Sequence, residues 1–279
     1  MTGRCMPLRT TAKQAIEFRL SSGIGFEDPC DIYEVIARRG IDLQFVDIPS
    51  LEGMYLEEPE TCRICVCAHR PVGRQRYTAA HELGHHTMGH GSQIDTVVDE
   101  LANAAGVVTE ETTAELFARY VLMPPRAVQA AFRCRGFDMA SLEPIDVYRV
   151  ACWLAVGYVT LLNQMLYSLH VLNPSDHERL IKTTPKDIKT SLAGNVQHRD
   201  VWPLDRFWTN RKLHTQVGDL IIGLKSHCST RLLTESDQNV YAVSAVGESM
   251  LPLATGGNLT VCASRAAYVG FYEYRYLPE

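Results

Sequence analysis

His81, Glu82 and His85 stand in one short run with the spacing H-E-x-x-H. Residues four apart on an α-helix lie on the same face, so both imidazoles can reach one metal ion. Zinc in proteins takes nitrogen ligands in tetrahedral geometry at about 2.0–2.1 Å. Glu82 follows the first histidine directly, which places its carboxylate where it can take a proton from water that the metal activates. The spacing therefore predicts a hydrolytic zinc centre.

The residues around this run decide between a metal site and a solvated polar helix face. Apolar side chains surround it, at Tyr77, Ala79, Ala80, Leu83 and Met88. They predict a helix that is largely buried. Gly84 inside that helix costs about 1 kcal/mol relative to alanine, and close packing against a neighbouring element is a reason to keep it. We therefore favour the metal site.

A catalytic zinc usually has three protein ligands and one open position, so a third ligand must come from elsewhere. The next predicted helix offers Glu110, Glu111 and Glu115. Acids at the start of a helix also complement its dipole, and spacing alone does not choose among the three. His86 and His90 are close in sequence, but we expect both to point around the helix, His90 on the opposite face.

Short elements must position these residues. Hydrophobic spacing predicts helices at residues 11–20, 29–40, 74–90 and 110–122, and strands at 41–48, 53–56 and 63–68. Gly40 can end the second helix in a left-handed conformation, and the prolines at 124 and 125 stop the fourth.

A compact helical segment at residues 145–172 follows, and beyond it the sequence becomes β-prone. Short strand-like runs occur at residues 202–208, 219–224, 240–246, 258–263 and 268–276. Residues 247–252 are interpreted as a loop whose Ser249 is not a nucleophile. The chain is predicted to be α+β, with regions at residues 1–130, 131–175 and 185–279.

Composition excludes several classes of protein. The 279 residues are 46% hydrophobic and 21% charged, which is typical of a soluble globular chain rather than a disordered or collagen-like one. A net charge of -5 disfavours a general nucleic-acid coat. The longest apolar run, residues 150–162, is shorter than the ~20 residues that span a bilayer, and residues 1–20 lack the apolar core of a signal peptide. We expect a cytoplasmic protein without membrane contact.

Nine cysteines, an odd number, fit a reduced compartment. Cys62, Cys65 and Cys67 are spaced closely enough to suggest a second metal site or a thiol sensor. Cys65 and Cys67 fall at strand period, however, and a free cysteine packs as a small hydrophobe. We favour core packing.

Two segments together resemble the ImmA/IrrE family of zinc metallopeptidases. They are RQRYTAAHELGH at residues 74–85 and the pattern ExxAxxFAxxxLMP that begins at Glu111. The resemblance covers about residues 30–172. It implies a zincin-like domain with a small sheet and the H-E-x-x-H helix, with Glu111 as the third metal ligand beside His81 and His85. Zinc is the implied metal, although Mn²⁺ and Fe²⁺ also suit such donors.

The resemblance also implies what the protein does. Family members are regulatory endopeptidases that cut a helix-turn-helix repressor and so release the genes of a mobile element or of a DNA-damage response. Glu82 would take a proton from water and return it to the leaving amine. The strand at Gly53–Tyr55 would be an edge along which substrate lies. His86, His90 and Tyr77 are candidates for stabilising the oxyanion, although a structural role is favoured for each. Thr113 and Glu115 depart from the family, where many members carry an acid and an asparagine.

The helical segment has the look of a helix-turn-helix between residues 151 and 166, with Gly157 at the turn. Phosphate contacts need lysines and arginines, and residues 145–172 offer Arg149 alone, balanced by Asp146. Direct DNA binding is therefore disfavoured, and a module that positions the repressor is preferred. Residues 185–279 match the place of the sensor-like domain of IrrE-type members, and the sequence does not determine the oligomeric state.

Two alternatives remain open. The first is a non-proteolytic antirepressor or stress sensor that keeps the metal fold and acts by contact. The second concerns a run of acids without lysine or arginine, at Asp95, Asp99, Glu100, Glu110, Glu111 and Glu115. Such a run is typical of a solvated face, but it would also attract a basic repressor.

Overall fold

The computed structural model describes residues 8–96, 109–194, 196, 200–228, 230–237 and 239–278. Within these ranges the chain is a mixed α+β structure with three small sheets and several helices, as predicted. Asp99 and Glu100 of the acidic run lie outside the described residues.

The first sheet has five strands in the order β12-β1-β3-β2-β4. Its strands are β1 (Asp42–Val46), β2 (Leu51–Glu57), β3 (Cys62–Cys67), β4 (Gln93–Thr96) and β12 (Gly270–Phe271). β1 and β3 run parallel, whereas β2 is antiparallel to both β3 and β4. Leu43, Phe45, Cys65 and Cys67 are buried, so the alternating pattern of β1 and the core packing of the two cysteines are as predicted.

Four helices surround this sheet or follow it: α1 (Leu8–Ser21), α2 (Ile32–Arg38), α3 (Val72–Met88) and α4 (Glu110–Leu122). Asp31 caps α2, because its carboxylate accepts the backbone N–H of Glu34. Gly40 has the predicted positive φ of 71°. Thr109 and Thr112 form a capping box that begins α4. All four predicted helices are present; α4 has the predicted bounds, and the ends of the other three are shifted by a few residues.

Five further helices follow, and the sequence pattern resolved only part of them. They are α5 (Pro125–Arg135), α6 (Pro144–Leu154), α7 (Tyr158–Asn163), α8 (Pro174–Ile181) and α9 (Pro185–Ala193). A π-helical turn (Gln164–Ser168) continues α7. Pro125 was expected only to stop α4. It is the first residue of α5, a position where proline is well tolerated.

No single helix in the described ranges is long and apolar enough to cross a membrane. Within these ranges, α6 and the helix that starts at Tyr158 are long and apolar enough only when taken together, and they are bent by 100° at their junction. Leu154, Leu161 and Leu162 of this pair are buried in the protein core.

The remaining strands form two small sheets. One has the order β5-β7-β9-β8 and the other β10-β11-β6. Their strands are β5 (Val201–Pro203), β6 (Lys212–Gln216), β7 (Leu220–Ile222), β8 (Leu233–Asp237), β9 (Val240–Val243), β10 (Gly247–Pro252) and β11 (Asn258–Ser264). The interpretation of residues 247–252 as a loop was wrong, since they pair with β11. Met250 there is 71% exposed, so the strand lacks the buried alternation that reveals strands in a sequence.

The three predicted regions are not separated by a gap in the core. One hydrophobic cluster includes Phe45, Leu122, Leu161 and Val261, which come from all three. β12 also returns to the first sheet and pairs with β1. The proposed region boundaries stay a prediction.

Candidate metal centre

Four donor residues from three elements converge beside α3. They are His81 and His85 of α3, Asp95 of β4 and Glu111 of α4, and one ligand atom from each lies within 4.8 Å of all the others. His81 Nε2 lies 3.1 Å from His85 Nε2, 2.9 Å from an Asp95 oxygen and 3.2 Å from a Glu111 oxygen. The second Glu111 oxygen is 3.5 Å from His85 Nε2. The helical spacing brings both imidazoles to one point, as expected.

Of the three candidate glutamates, Glu111 is the one that reaches both imidazoles. Glu110 instead accepts a hydrogen bond from Gln93 at 3.2 Å. Glu115 pairs with Arg119 at 2.6 Å, and its nearest approach to the pair of histidines is 3.8 Å, at His81 Nδ1. The geometry is that expected from the resemblance, and the ligand roles of His81, His85 and Glu111 stay a prediction.

Asp95 is the donor that sequence reasoning missed. It was counted within the acidic run, and β4 was not predicted because its four residues are too few to show a period. The signal present in the sequence was an acid shortly after the H-E-x-x-H helix, without a spacing rule that singles it out. Its position depends on the pairing of β4 with β2.

Glu82 lies fully buried beside the four donors. Neither of its carboxylate oxygens accepts a hydrogen bond from any residue that the structure describes. A Cβ on Gly53 of β2 would overlap Glu82 Oε1, so the glycine lets the strand pass directly over this carboxylate. Burial raises the pKa of Glu82 well above its usual value, and the charge of Asp95 raises it further although His81 opposes the shift.

The electrostatics of the centre favour a positive charge. Burial alone would lower the pKa of His81, but hydrogen bonds to Asp95 and Glu111 raise it to about 10. The pKa of Glu111 is held below its usual range, chiefly by its hydrogen bonds to His81 and His85. Two imidazole nitrogens that face each other need a proton or a cation between them. Nitrogen and carboxylate donors around unpartnered Glu82 oxygens fit a zinc ion.

A family model described as the IrrE N-terminal-like domain, Peptidase_M78, matches residues 36–146. Residues 36–146 are therefore similar to that domain. The match contains α3, β4 and α4 and therefore all four donors. A peptidase-type domain with a group able to bind a metal ion follows from the match and the geometry together.

Comparisons with curated proteins and with solved structures give weaker similarity than the family model. No curated protein matches the chain. A solved structure of a Mycobacterium tuberculosis transcriptional regulator is similar at 16% identity and a TM-score of 0.38, over 56% of this chain and 46% of that chain. The chain thus aligns with less than half the length of that regulator.

His90 lies beside the ring nitrogen of His85 that does not face the other donors. α3 ends at Met88, and Gly89 takes a left-handed conformation with φ of 67°, which turns the chain back. His90 Nδ1 therefore lies 3.0 Å from His85 Nδ1. The expectation that His90 lies on the opposite face was wrong, because it assumed that the helix continues. His86 points away and contacts the Tyr55 hydroxyl at 2.8 Å.

A cavity of about 760 Å³ opens beside the donors of the IrrE-like domain. Tyr77 and His81 of α3, Glu111 of α4 and Asp95 line it on one side, and Thr160 of α7 lies on the other. The Tyr77 hydroxyl accepts a hydrogen bond from Arg119 Nε at 3.3 Å. Helix α7, with Gly157 just before it, thus lines the cleft that contains the candidate metal centre.

Proposed function

We propose that the protein is a cytoplasmic zinc-dependent endopeptidase that cleaves a helix-turn-helix transcriptional repressor and so derepresses its genes, in a mobile-element or DNA-damage response. The observation that carries the proposal is the position of Glu82. Its buried, unpartnered carboxylate lies beside four metal-type donors, three of which line the cleft.

The proposal assigns two roles to these residues, metal ligand and general base. His81, His85 and Glu111 would hold the zinc ion, which when bound polarises a scissile carbonyl and makes water more acidic. Glu82 accepts the proton of the attacking water and passes it to the leaving amine. Mn²⁺ or Fe²⁺ would suit the same donors.

The charge of the cleft supports a basic protein substrate. Glu52, Asp95, Glu111 and Glu115 line the cavity, and its two arginines, Arg74 and Arg119, are paired with Glu52 and Glu115. DNA-binding domains carry lysines and arginines for phosphate contacts, so acids around a cleft would favour them.

Helix α7 supports a substrate-positioning role over direct DNA binding. Thr160 and Asn163 of α7 face the cavity, and Tyr158, Leu161 and Leu162 are buried. Lysine and arginine are absent from α7, so the helix offers no phosphate contacts.

The test uses zinc-loaded wild type and Glu82→Gln with a purified helix-turn-helix repressor encoded beside the gene. We expect wild type to cut the repressor, and Glu82→Gln to bind about one zinc ion per chain without cutting it. Glu110→Gln is the matched control and should cut normally, because Glu110 contacts Gln93 rather than the histidines.

The alternative reading makes a different prediction in cells. If Glu82→Gln derepresses a reporter as well as wild type does, the protein acts by contact as an antirepressor and the peptidase proposal is wrong. Elemental mass spectrometry on the same preparations shows whether the variant has kept its metal.

A further inference from the structure

The outer edge of β2 is covered by the chain's own strand. Sequence reasoning expects substrate to lie along Gly53–Tyr55, because an extended peptide can add to an exposed sheet edge. β4 holds that place: Gln93 pairs with Tyr55, Ile94 with Met54 and Asp95 with Gly53. A substrate strand can use this edge of β2 only after β4 has left it.

The same strand brings a carboxylate to the metal-type donors. Asp95 lies directly across from Gly53, and its oxygen is 2.9 Å from His81 Nε2. Structural zinc sites have four protein ligands, whereas catalytic sites have three and an open position. With Asp95 the donor group has four members, which is the closed arrangement.

We propose that β4 is an internal latch: Asp95 supplies a fourth donor that closes the metal centre while β4 occupies the place of a substrate strand. The inference rests on the proposed peptidase centre and adds its regulation. The described conformation is then a latent form, and cleavage requires Asp95 and β4 to withdraw together.

The hold of β4 on the sheet is slight enough for a latch. The strand has four residues, and its pairing with β2 is interrupted by a register shift between Leu51 and Gly53. Ile94 is 61% exposed and adds little burial. Gly89 and Gly91, both at positive φ, lie just before the strand, and residues at the ends of elements can absorb the backbone rotation of such a movement.

The test compares full-length wild type with Asp95→Asn after each has been loaded with Co²⁺. The probe is acetohydroxamate, which needs an open metal position, and its binding is followed by the visible absorption of Co²⁺. We expect Asp95→Asn to bind the probe about 10-fold or more tightly than wild type, and to bind zinc about 10–100-fold more weakly in competition with a chelator.

Hydrogen exchange supplies a readout that is independent of activity. The amides of residues 93–96 should exchange faster in metal-loaded Asp95→Asn than in metal-loaded wild type, because the carboxylate no longer ties β4 to the centre. Ile94→Ala is the matched control, since it alters an exposed side chain of the same strand and keeps Asp95. It should bind the probe as wild type does. Asp95→Ala replaces Asp95→Asn if the latter does not fold.

The outcomes separate the latch from the peptidase centre. Equal probe affinity in wild type and Asp95→Asn, with zinc bound by both, overturns the latch and leaves the centre intact. Failure of wild type to bind either metal overturns both. Looser probe binding in Asp95→Asn than in wild type also overturns the latch, because Asp95 would then assist the open form.

Discussion

His85 has a polar neighbour at each of its ring nitrogens. Its Nε2 faces His81 and Glu111, while Nδ1 lies 3.0 Å from His90 Nδ1. A metal-binding imidazole is usually oriented through the nitrogen that does not touch the metal. The second nitrogen of His90 lies 3.5 Å from the Thr113 hydroxyl. His90 is therefore placed where it can orient the ring of His85.

Replacing His90 with alanine is expected to weaken zinc binding about 10–100-fold, because His85 loses the partner that fixes its ring. Competition with a chelator measures the change. His86→Ala is the matched control, since His86 contacts Tyr55 and not the donors. Equal losses in the two variants would contradict a specific role for His90.

The choice among the glutamates can be tested at the same level. Glu111→Gln should lower zinc affinity about 100-fold or more, because it removes the carboxylate that reaches both histidines. Glu110→Gln should leave the affinity unchanged. Elemental analysis of the two variants purified side by side gives the answer, and zinc retained by Glu111→Gln would exclude Glu111 as a ligand.

At the scale of elements, two glycines determine how closely β2 and α4 approach α3. A Cβ on Gly84 would lie 3.0 Å from the Ala114 Cα atom of α4, which is the close packing that the sequence predicted for this residue. Gly53 does the same for β2 above Glu82. At both positions the close approach of a neighbouring element, rather than secondary-structure propensity, explains why the residue is glycine.

Gly53→Ala should lower peptidase activity about 100-fold, since an added methyl group must displace either β2 or the side chains of Glu82 and Thr78, and small misplacements of a catalytic group are costly. Zinc content should stay near that of wild type, because Gly53 lies on β2 and the proposed ligands His81, His85 and Glu111 lie on α3 and α4. Met54→Ala, the next residue of the strand, is the control. A variant that loses zinc together with activity would show that β2 supports the metal donors as well.

Much of this layer could be predicted from the sequence. Helix α4 has the predicted bounds, and α3 and the strands β1 to β3 lie within a few residues of theirs, because each has a clear hydrophobic period and marked ends. β4 was missed, since Gln93 and Ile94 form no period with so few neighbours. Asp95 was missed as a donor for the same reason, because its place depends on pairing between strands rather than on local spacing. The position of His90 depends on the left-handed turn at Gly89, which a continuous helix pattern conceals.

At the scale of the whole molecule, a buried polar group joins the first helices to the last strands. The Asp31 carboxylate lies 2.8 Å from His214 Nε2, and the Tyr276 hydroxyl lies 2.6 Å from His214 Nδ1. Arg275 packs over the Phe45 ring at 4.0 Å and donates to Gln75 of α3 at 3.3 Å. The late residues of the chain are thereby tied to the start of the helix that carries His81 and His85.

This group makes stability depend on pH. Burial lowers the pKa of His214 below 6.5, with Arg76 and Arg275 adding to the shift and Asp31 opposing it. The unfolded chain then binds more protons than the folded one as the solution is acidified, so His214 contributes stability above its unfolded pKa that is lost as pH falls. The pKa of Asp31 is also held below its usual range, which extends the loss at lower pH.

The free energy of unfolding of wild type should therefore fall relative to that of His214→Asn as the pH is lowered from about 7.5 to about 5.5. Urea unfolding at several pH values measures both slopes. His227→Asn replaces an exposed histidine and should keep the wild-type slope. Parallel slopes for wild type and His214→Asn would show that His214 is not the group responsible.

The pairing of β12 with β1 has a consequence for biosynthesis. Phe271 lies opposite Gln44, so a strand made early in translation receives its neighbour only when more than two hundred further residues have been added. Until then β1 carries an unprotected edge. Gln75 of α3 also lacks the hydrogen bond that Arg275 donates to it in the complete fold. A nascent chain would thus contain H-E-x-x-H long before that helix is fully anchored, which separates the synthesis of the donors from the completion of the fold that supports them.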